Sequence, residues 1–121
     1  MKKNHLPIIY SCSGCSSAAQ TANAIAIKMD RAEIAEMSCI AGVGGDVKPL
    51  VRTAKSGREI IAIDGCILSC CKHSLARHEV EVKHHFILSD FEVPKKKGVD
   101  PDPILTEKAY NQIVEQVMQE V

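Results

Sequence analysis

The hexapeptide EIIAID at residues 59–64 constrains the fold more than any other stretch of the chain. It is a short, continuous apolar run rich in β-branched residues, which is typical of a strand buried on both faces. Strands of this kind occur in parallel sheets that helices cover on both sides. The chain is therefore predicted to be an α/β protein.

Further apolar runs alternate with segments in which apolar residues recur at helical spacing. The predicted strands are residues 6–10, 34–41, 59–64 and 85–88. The predicted helices are residues 17–31, 46–57, 69–77 and 103–121. Because strand and helix alternate throughout, residues 1–121 are predicted to form one domain. Its architecture is a three-layer αβα fold, Rossmann-like or flavodoxin-like, with a mainly parallel four-stranded sheet in the order 2-1-3-4.

Local signals predict where the helices begin. Ser17, with Gln20 three residues later, predicts a capping box for the first helix. Asp46 predicts the N-cap of the second helix, whose first turn tolerates Pro49. Asp102 predicts the N-cap of the closing helix. The apolar stripe of that helix comprises Leu105, Ala109, Ile113, Val117 and Val121.

Charge and hydropathy exclude several classes of partner. The 15 basic and 15 acidic residues cancel, and the longest basic run, at residues 95–97, is interpreted as a solvated loop. Such a run offers no stripe of charge along a phosphate backbone, so nucleic acid is not an expected partner. The first apolar run is too short for a signal peptide, and no segment reaches membrane-spanning length. A cytoplasmic protein without a membrane partner is expected, and its oligomeric state has no signature in the sequence.

Six cysteines in a reducing compartment indicate metal binding or thiol chemistry rather than structural disulfides. Cys12 and Cys15 follow the first predicted strand, Cys39 lies late in the second, and Cys66 and Cys70 follow the third. In the strand order 2-1-3-4, the carboxyl ends of these strands meet at one edge of the sheet. Ligands bind at that edge in open α/β sheets. The five thiols are therefore expected to become neighbours.

Four of these thiols form two local chelates, Cys12 with Cys15 and Cys66 with Cys70, and would complete a tetrahedral site. Thiolates suit zinc, copper(I) or an iron–sulfur cluster. Zinc is the expected ion, with an iron–sulfur cluster or no cofactor as the alternatives. Cys39 is an alternative ligand, a thiol that contacts the ligands without binding the ion, or an apolar strand residue. All of these thiols could instead fill gaps in the core, as free cysteines often do.

A redox role is the competing prediction for the Cys12 and Cys15 pair. The pair lies between a strand and a helix N-terminus, where the helix dipole favours a thiolate. In that interpretation the chain is an enzyme acting on a thiol or a small anion. Enzymatic activity is thus left open, and Cys71 is expected to take no part.

Two further features are candidates for binding. Gly42, Gly44 and Gly45 resemble a loop that cradles a phosphate, so a small anion is a second expected ligand, although a tight turn is the competing interpretation. Asp64 ends the third strand and could orient a ligand, bind substrate or accept a proton. A capping or turn role for this carboxylate is the competing interpretation.

Other charged side chains near the cysteines are weaker candidates. Lys72, one turn from Cys70, would offset the negative charge of four thiolates around a divalent ion, unless it is simply exposed. The histidines are expected on the solvated surface. They are His73, His78, His84 and His85.

Three motifs occur in order at residues 10–16 (YSCSGCS), 37–45 (MSCIAGVGG) and 63–66 (IDGC), followed by Cys70. Together they resemble the DGC-domain family over about residues 10–90. The resemblance implies a zinc ion bound through four cysteines and no established activity. By position it implies the ligand candidates Cys12, Cys15, Cys39, Cys66 and Cys70. A proline that is common after the Asp-Gly-Cys step in the family is Ile67 here, and Cys71 is an additional thiol.

Overall fold

A four-stranded parallel sheet forms the centre of the computed structural model, which describes residues 5–119. The strands are β1 (Ile8–Ser11), β2 (Glu36–Met37), β3 (Ile60–Asp64) and β4 (His84–Ile87). Their order is β2-β1-β3-β4, and every neighbouring pair is parallel. The predicted fold class and strand order are therefore confirmed.

Within residues 5–119, five α-helices connect or follow the strands, one more than the sequence predicts. They are α1 (Ser17–Arg31), α2 (Ile40–Gly44), α3 (Lys48–Ala54), α4 (Cys70–Ala76) and α5 (Pro103–Gln119). A single 3-10 turn, Leu88–Phe91, follows β4. None of the helices within residues 5–119 is long and apolar enough to cross a membrane.

The two central strands, β1 and β3, are buried along their whole length because helices cover both faces of the sheet. Side chains alternate between the faces along a strand. Ile9, Ile61 and Ile63 pack with α1 and α5 in one apolar cluster. Ile8, Tyr10, Ile60 and Ala62 instead join residues of α2, α3 and α4 in a second cluster. The sheet is thus the middle layer of three.

The second predicted strand is much shorter than expected. β2 ends at Met37, and the chain turns at Cys39 into helix α2. Ile40 and Val43, three residues apart, pack on the second apolar cluster, which is helical spacing. A short apolar run cannot be assigned to strand or helix by periodicity alone. The prediction of a strand over residues 34–41 is therefore wrong beyond Met37.

Two of the three predicted N-caps are also wrong. The Ser16 hydroxyl, rather than that of Ser17, accepts the amide of Ala19 at 3.1 Å and caps α1. Val47 precedes α3 without a side-chain cap, whereas Asp46 adopts a left-handed backbone conformation (φ 62°) outside the helix. At α1 two serines are adjacent, and sequence alone does not say which one leaves the helical conformation. At α3 the residue before the helix is apolar, so no polar signal marks it.

The closing helix α5 agrees with its prediction. Asp102 Oδ1 accepts the amides of Ile104 at 2.8 Å and Leu105 at 3.2 Å, as an N-cap does. Ala109, Ile113 and Val117 are buried against α1 and the sheet. Leu105 is partly buried, and Val121 lies outside the described residues.

Candidate functional site

The five candidate thiols lie in three loops at the carboxyl ends of neighbouring strands. Cys12 directly follows β1, Cys39 is the residue before α2, and Cys70 is the first residue of α4. Cys15 and Cys66 lie within the loops after β1 and β3. All are free thiols. Because β2, β1 and β3 are adjacent and parallel, their loops leave the sheet at one edge, here named the cysteine edge.

Cys12 is the innermost of these thiols. Its sulfur accepts a hydrogen bond from the backbone amide of Gly65, with 3.0 Å between Sγ and N. This bond joins the loop after β1 to the loop after β3, although the two residues are far apart in sequence. The two cysteine-bearing loops are therefore in direct contact.

Burial is the main cause that raises the pKa of the Cys12 thiol from its ordinary value of 9.0 to about 11. The Gly65 hydrogen bond lowers this pKa in part. Electrostatic interactions with Asp64, Cys66 and Cys70 raise it further. Without a bound cation, Cys12 is consequently a neutral thiol at pH 7.

Gly65 permits the close approach of the β3–α4 loop to α1. A Cβ atom at this position would lie 2.8 Å from the backbone carbon of Ala18 and 2.8 Å from the backbone nitrogen of Ala19. These are backbone atoms in the first turn of α1, so they cannot move aside as a flexible side chain can. Only glycine therefore allows this loop to place its amide on the Cys12 sulfur.

Asp64 is 1% exposed and stabilises the start of α4. Its carboxylate accepts the amides of Cys71 at 2.8 Å and Lys72 at 3.3 Å, which are in the first turn of the helix. Ser69, the residue before α4, is left-handed (φ 51°) and caps nothing with its side chain. Asp64 thus supplies from the end of β3 the acceptor that Ser69 does not. Of the interpretations that the sequence left open, the structure shows capping.

His85 completes the environment of Asp64. Its Nε2 lies 2.8 Å from Oδ2 of the carboxylate, and the imidazole is largely buried. The expectation of a solvated His85 is wrong, because its strand neighbour β3 ends in a buried acid. Sequence gives one weak signal for this pair, namely a polar residue inside each of two adjacent buried strands.

The remaining thiols differ in exposure. Cys15, Cys39 and Cys70 are exposed, and Cys66 is half-buried. Cys71 is buried in the second apolar cluster, and burial raises its pKa far above 9.0. Among residues 5–119, no three His, Cys, Asp or Glu side chains are already arranged to hold one metal ion. The cysteine edge therefore brings the ligand-bearing loops together without forming a closed shell of donors.

Residues 94–97, interpreted from the sequence as part of a solvated loop, are attached to this edge. Ser17 pairs with it through its backbone and its hydroxyl: the Ser17 amide donates to the Lys96 carbonyl (2.8 Å), and the Lys96 amide donates to Ser17 Oγ (3.0 Å). Residues 94–97 are here named the lysine strap. From it, Lys95 Nζ reaches to within 3.5 Å of Cys66 Sγ. No local pattern indicates this contact, because it depends on how a distant loop crosses the start of α1.

The glycine segment of residues 42–45 lies mainly in helix α2. Gly42 is in close contact with Leu50, and a Cβ atom would overlap that side chain. The Gly44 carbonyl accepts Nη1 of Arg77 at 3.0 Å, so α2 is held against the end of α4. Packing therefore explains Gly42, and anion binding at Gly42, Gly44 and Gly45 stays a prediction.

Asp46 and Arg77 extend the contact between α2 and α4. Arg77 Nη2 lies 2.9 Å and 3.1 Å from the two carboxylate oxygens, and His78 Nε2 lies 3.0 Å from Oδ1. The hydrogen bond from Arg77 is the main cause that holds the pKa of Asp46 below its usual 3.8. The acid that the sequence predicts as a helix cap is thus half of a surface ion pair.

Comparison with known proteins places this site in a family. The DGC domain matches residues 8–120. Over 95 residues, the chain is 59% identical to the anaerobic and virulence modulator AnvM of Pseudomonas aeruginosa, an alignment that covers 78% of this chain and 72% of AnvM. No solved structure matches the chain. Since the family match spans nearly all of the sequence, including all six cysteines, the chain belongs to the DGC domain family.

Proposed function

We propose that this protein binds a soft metal ion, zinc in the first place, through thiolates of the cysteine edge, and that it acts as a modulator rather than as an enzyme. The observation that supports this most directly is the hydrogen bond between Gly65 N and Cys12 Sγ. It holds the C-x-x-C loop and the Cys66 loop against each other. Two chelating segments that are distant in sequence are thereby adjacent.

The chemistry of the donor set fits a thiolate-bound ion. Every candidate is a free cysteine, and thiolates are the donors preferred by zinc and other soft ions. The loop contact joins Cys12 to the loop that carries Cys66 and leads to Cys70. Cys15 is the local chelate partner of Cys12, and Cys39 is the alternative ligand. The exposed thiols would turn inwards towards Cys12 when an ion binds.

Metal uptake would also resolve an electrostatic conflict. Burial keeps Cys12 protonated at neutral pH, because a thiolate there would lack solvent and lie near Asp64. A divalent cation supplies the compensating charge, so binding is expected to release the proton from Cys12. The raised pKa of Cys12 disfavours its thiolate, so in the redox alternative Cys12 would be a weak attacking thiol.

The name of the relative supports a regulatory role. AnvM is described as an anaerobic and virulence modulator, which names no reaction and no substrate. By that similarity we assign this chain to modulation, with the thiolate site as the element that changes state. Asp64, the strongest candidate for acid–base chemistry, already has both carboxylate oxygens engaged by α4 and His85.

Native mass spectrometry with elemental analysis tests this proposal. The purified, reduced protein is expected to bind one zinc ion per chain. Cys12→Ser and Cys66→Ser should lose the ion, whereas Cys39→Ser should keep it if Cys39 is not a ligand. Cys71→Ala is the matched control, since its thiol is buried in the second apolar cluster and is not a predicted ligand.

Two results would contradict the proposal. One is a folded wild-type protein that takes up no zinc and in which Cys12 and Cys15 oxidise reversibly to a disulfide. That result would favour the redox alternative. The other is equal zinc content in the wild type, Cys12→Ser and Cys66→Ser proteins, which would place the ion elsewhere.

A further inference from the structure

We infer that Lys95 is a positioning residue of the thiolate site, where its ammonium group donates an N–H···S hydrogen bond to Cys66 and offsets the charge of the metal-bound thiolates. The inference rests on the proposed function. Its direct observation is the distance of 3.5 Å between Lys95 Nζ and Cys66 Sγ. The sequence offers Lys72 for this task, with simple exposure as the competing interpretation, and residues 95–97 were interpreted as a solvated loop.

The backbone on both sides of Lys95 is fixed, although its side chain is exposed. Ser17 Oγ donates to the carbonyl of Pro94 at 3.0 Å and accepts the amide of Lys96 at 3.0 Å. Ser16 and Lys97 form an antiparallel bridge one step further along. Ser16 and Ser17 are themselves buried at the start of α1. The strap therefore has a defined register against α1, and this register brings Lys95, and not its neighbours, to Cys66.

The Cys66 side of the contact is fixed as well. The preceding residue, Gly65, is wedged against the backbone of α1 and bonded to Cys12. The Cys66 carbonyl accepts the Ser69 amide at 3.1 Å, which closes the turn before α4. Both partners thus belong to segments packed on the same helix. Their proximity follows from the fold.

The charge balance of the edge requires a cation. Four thiolates around a divalent ion carry net negative charge, and the buried Asp64 carboxylate adds to it. Within residues 5–119, Lys95 is the cationic side chain that forms a hydrogen bond to a candidate sulfur. Lys72, by contrast, is exposed and contacts Asp64 through its backbone amide. Charge-assisted hydrogen bonds are stronger than neutral ones, so Lys95 can stabilise the loaded site.

The role predicts two measurable changes when the ammonium group is removed. Groups that hydrogen-bond metal ligands typically change metal affinity by roughly 10- to 100-fold when they are mutated. For an exposed lysine we expect the low end, about a tenfold weaker zinc affinity in Lys95→Met. The sulfur of Cys66 also becomes a stronger electron donor without its N–H···S bond. The sulfur-to-cobalt charge-transfer band of the Co²⁺-substituted protein should therefore move to lower energy.

The experiment compares Lys95→Met, Lys95→Arg and Lys96→Met in the full-length protein. Zinc affinity is measured by competition with a chromogenic chelator, and the Co²⁺ spectrum is recorded for each protein. Lys96→Met is the matched control, because it removes one charge from the same strap and keeps the backbone bonds to Ser17. Lys95→Met should show both changes, Lys96→Met neither, and Lys95→Arg should lie closer to the wild type.

The outcomes separate this inference from the function on which it rests. If the wild type binds zinc but Lys95→Met and Lys96→Met have equal affinities and superimposable Co²⁺ spectra, the role of Lys95 is wrong and the metal site stands. If the wild type binds neither Zn²⁺ nor Co²⁺, the proposed function is wrong, and the role of Lys95 is wrong with it. Circular dichroism confirms that each variant is folded before its affinity is compared.

Discussion

The two faces of the sheet are built in different ways. On one face the long helices α1 and α5 pack a continuous apolar stripe against Ile9, Ile61 and Ile63. On the other face three short helices, α2, α3 and α4, cover Tyr10 and its neighbours. These short helices are fixed by specific polar contacts such as those of Asp64.

The face of α1 and α5 is therefore stabilised mainly by buried apolar surface, and the face of α2, α3 and α4 depends more on individual polar contacts. A long amphipathic helix gains stability from many buried side chains, so a single polar change has a small effect. A helix of five to seven residues has few such contacts, and none of these three begins with a side-chain cap from its own N-cap residue, so individual contacts from outside the helix matter more. Cys39 and Cys70 stand at the starts of two of these short helices. Two of the five candidate ligands are therefore positioned by short helices that have few packing contacts.

Gly65→Ala tests the point at which the two faces meet and should have the largest effect. The added methyl group would lie 2.8 Å from the backbone of Ala18 and Ala19, so either α1 or the β3–α4 loop must shift. We expect a loss of about 3 kcal/mol in the free energy of unfolding, the upper range for overpacking. Urea denaturation followed by circular dichroism measures it.

Gly44→Ala is the matched control on the short-helix face. A Cβ there meets Ser74 Oγ at 3.5 Å, an ordinary contact, and the residue lies in helix α2. Alanine in a helix is favoured over glycine by up to about 1 kcal/mol, so this variant should be as stable as the wild type or slightly more so. Equal destabilisation by the two substitutions would show that the tight contact of Gly65 with α1 is not the cause.

Asp64→Ala should have the next largest effect and should act on one face only. The substitution removes the acceptor of the Cys71 and Lys72 amides and leaves them unsatisfied at a buried helix start. Hydrogen bonds to a charged group contribute more than neutral ones, and we expect a loss of about 2 kcal/mol. Amide hydrogen exchange should become faster in α4, while the amides of α1 stay protected apart from the global change.

His85→Ala separates the cap from the rest of the carboxylate's environment. It removes one partner of Asp64 but leaves both bonds to α4 in place. Its effect on α4 amide exchange should be clearly smaller than that of Asp64→Ala. If His85→Ala increased α4 amide exchange more than Asp64→Ala does, the bond to His85 would matter more than the two bonds to the α4 amides.

The same contrast explains which parts of the structure are predictable from sequence. β1 and β3 are continuous apolar runs, α5 carries a long periodic stripe, and the alternation of strands and helices limits the possible topologies, so the sheet order and the closing helix were predicted correctly. The segment around Ile40 and Val43 is too short to distinguish a strand from a helix, and α2 was missed. Short elements are decided by tertiary packing, which local sequence does not contain.

The candidate site also has a part that is predictable from sequence and a part that is not. The topology of parallel strands predicts that loops carrying Cys12, Cys39 and Cys66 meet at one edge. The contacts that organise the edge were not predictable in the same way. Those of Lys95 with Cys66 and of His85 with Asp64 join residues that no periodicity relates. They depend on the path of loops across α1 and on the register between two strands.

Ser16→Ala tests the long-helix face and should have a moderate effect. The Ser16 hydroxyl caps α1 through the Ala19 amide, and loss of such a cap typically destabilises by about 1 kcal/mol. Ser17→Ala is the comparison, since its hydroxyl bonds the lysine strap instead. Ser16→Ala should increase exchange in the first turn of α1, and Ser17→Ala should increase it at the Lys96 amide. The reverse pattern would show that Ser17, and not Ser16, caps α1.

Asp46→Asn should have the smallest effect, confined to acid-sensitive stability of the short-helix face. The pKa of Asp46 is lower in the folded protein than its usual 3.8, chiefly because of Arg77. A carboxyl group of this kind stabilises the fold above its unfolded-state pKa, and the contribution disappears as the pH falls through the folded-state pKa. The wild type should therefore be slightly more stable than Asp46→Asn at pH 7, and the difference should shrink as the pH falls below 3.8 and vanish only below the folded-state pKa.

Salt distinguishes this ion pair from a purely structural role of Asp46. Both side chains of the pair are more than half exposed, at 55% and 57%, so the interaction is largely screened. Urea midpoints at pH 7 should thus converge for the wild type and Asp46→Asn as sodium chloride is raised.

Glu107→Gln, which removes the exposed pair with Lys28 between α5 and α1, is the matched variant on the other face. Because many buried side chains hold α1 and α5 together, Glu107→Gln should leave their amide exchange unchanged, whereas Asp46→Asn should loosen the junction of α2 with α4. An equal increase in amide exchange in both pairs of helices would contradict the proposal that one face depends on buried apolar surface and the other on individual polar contacts.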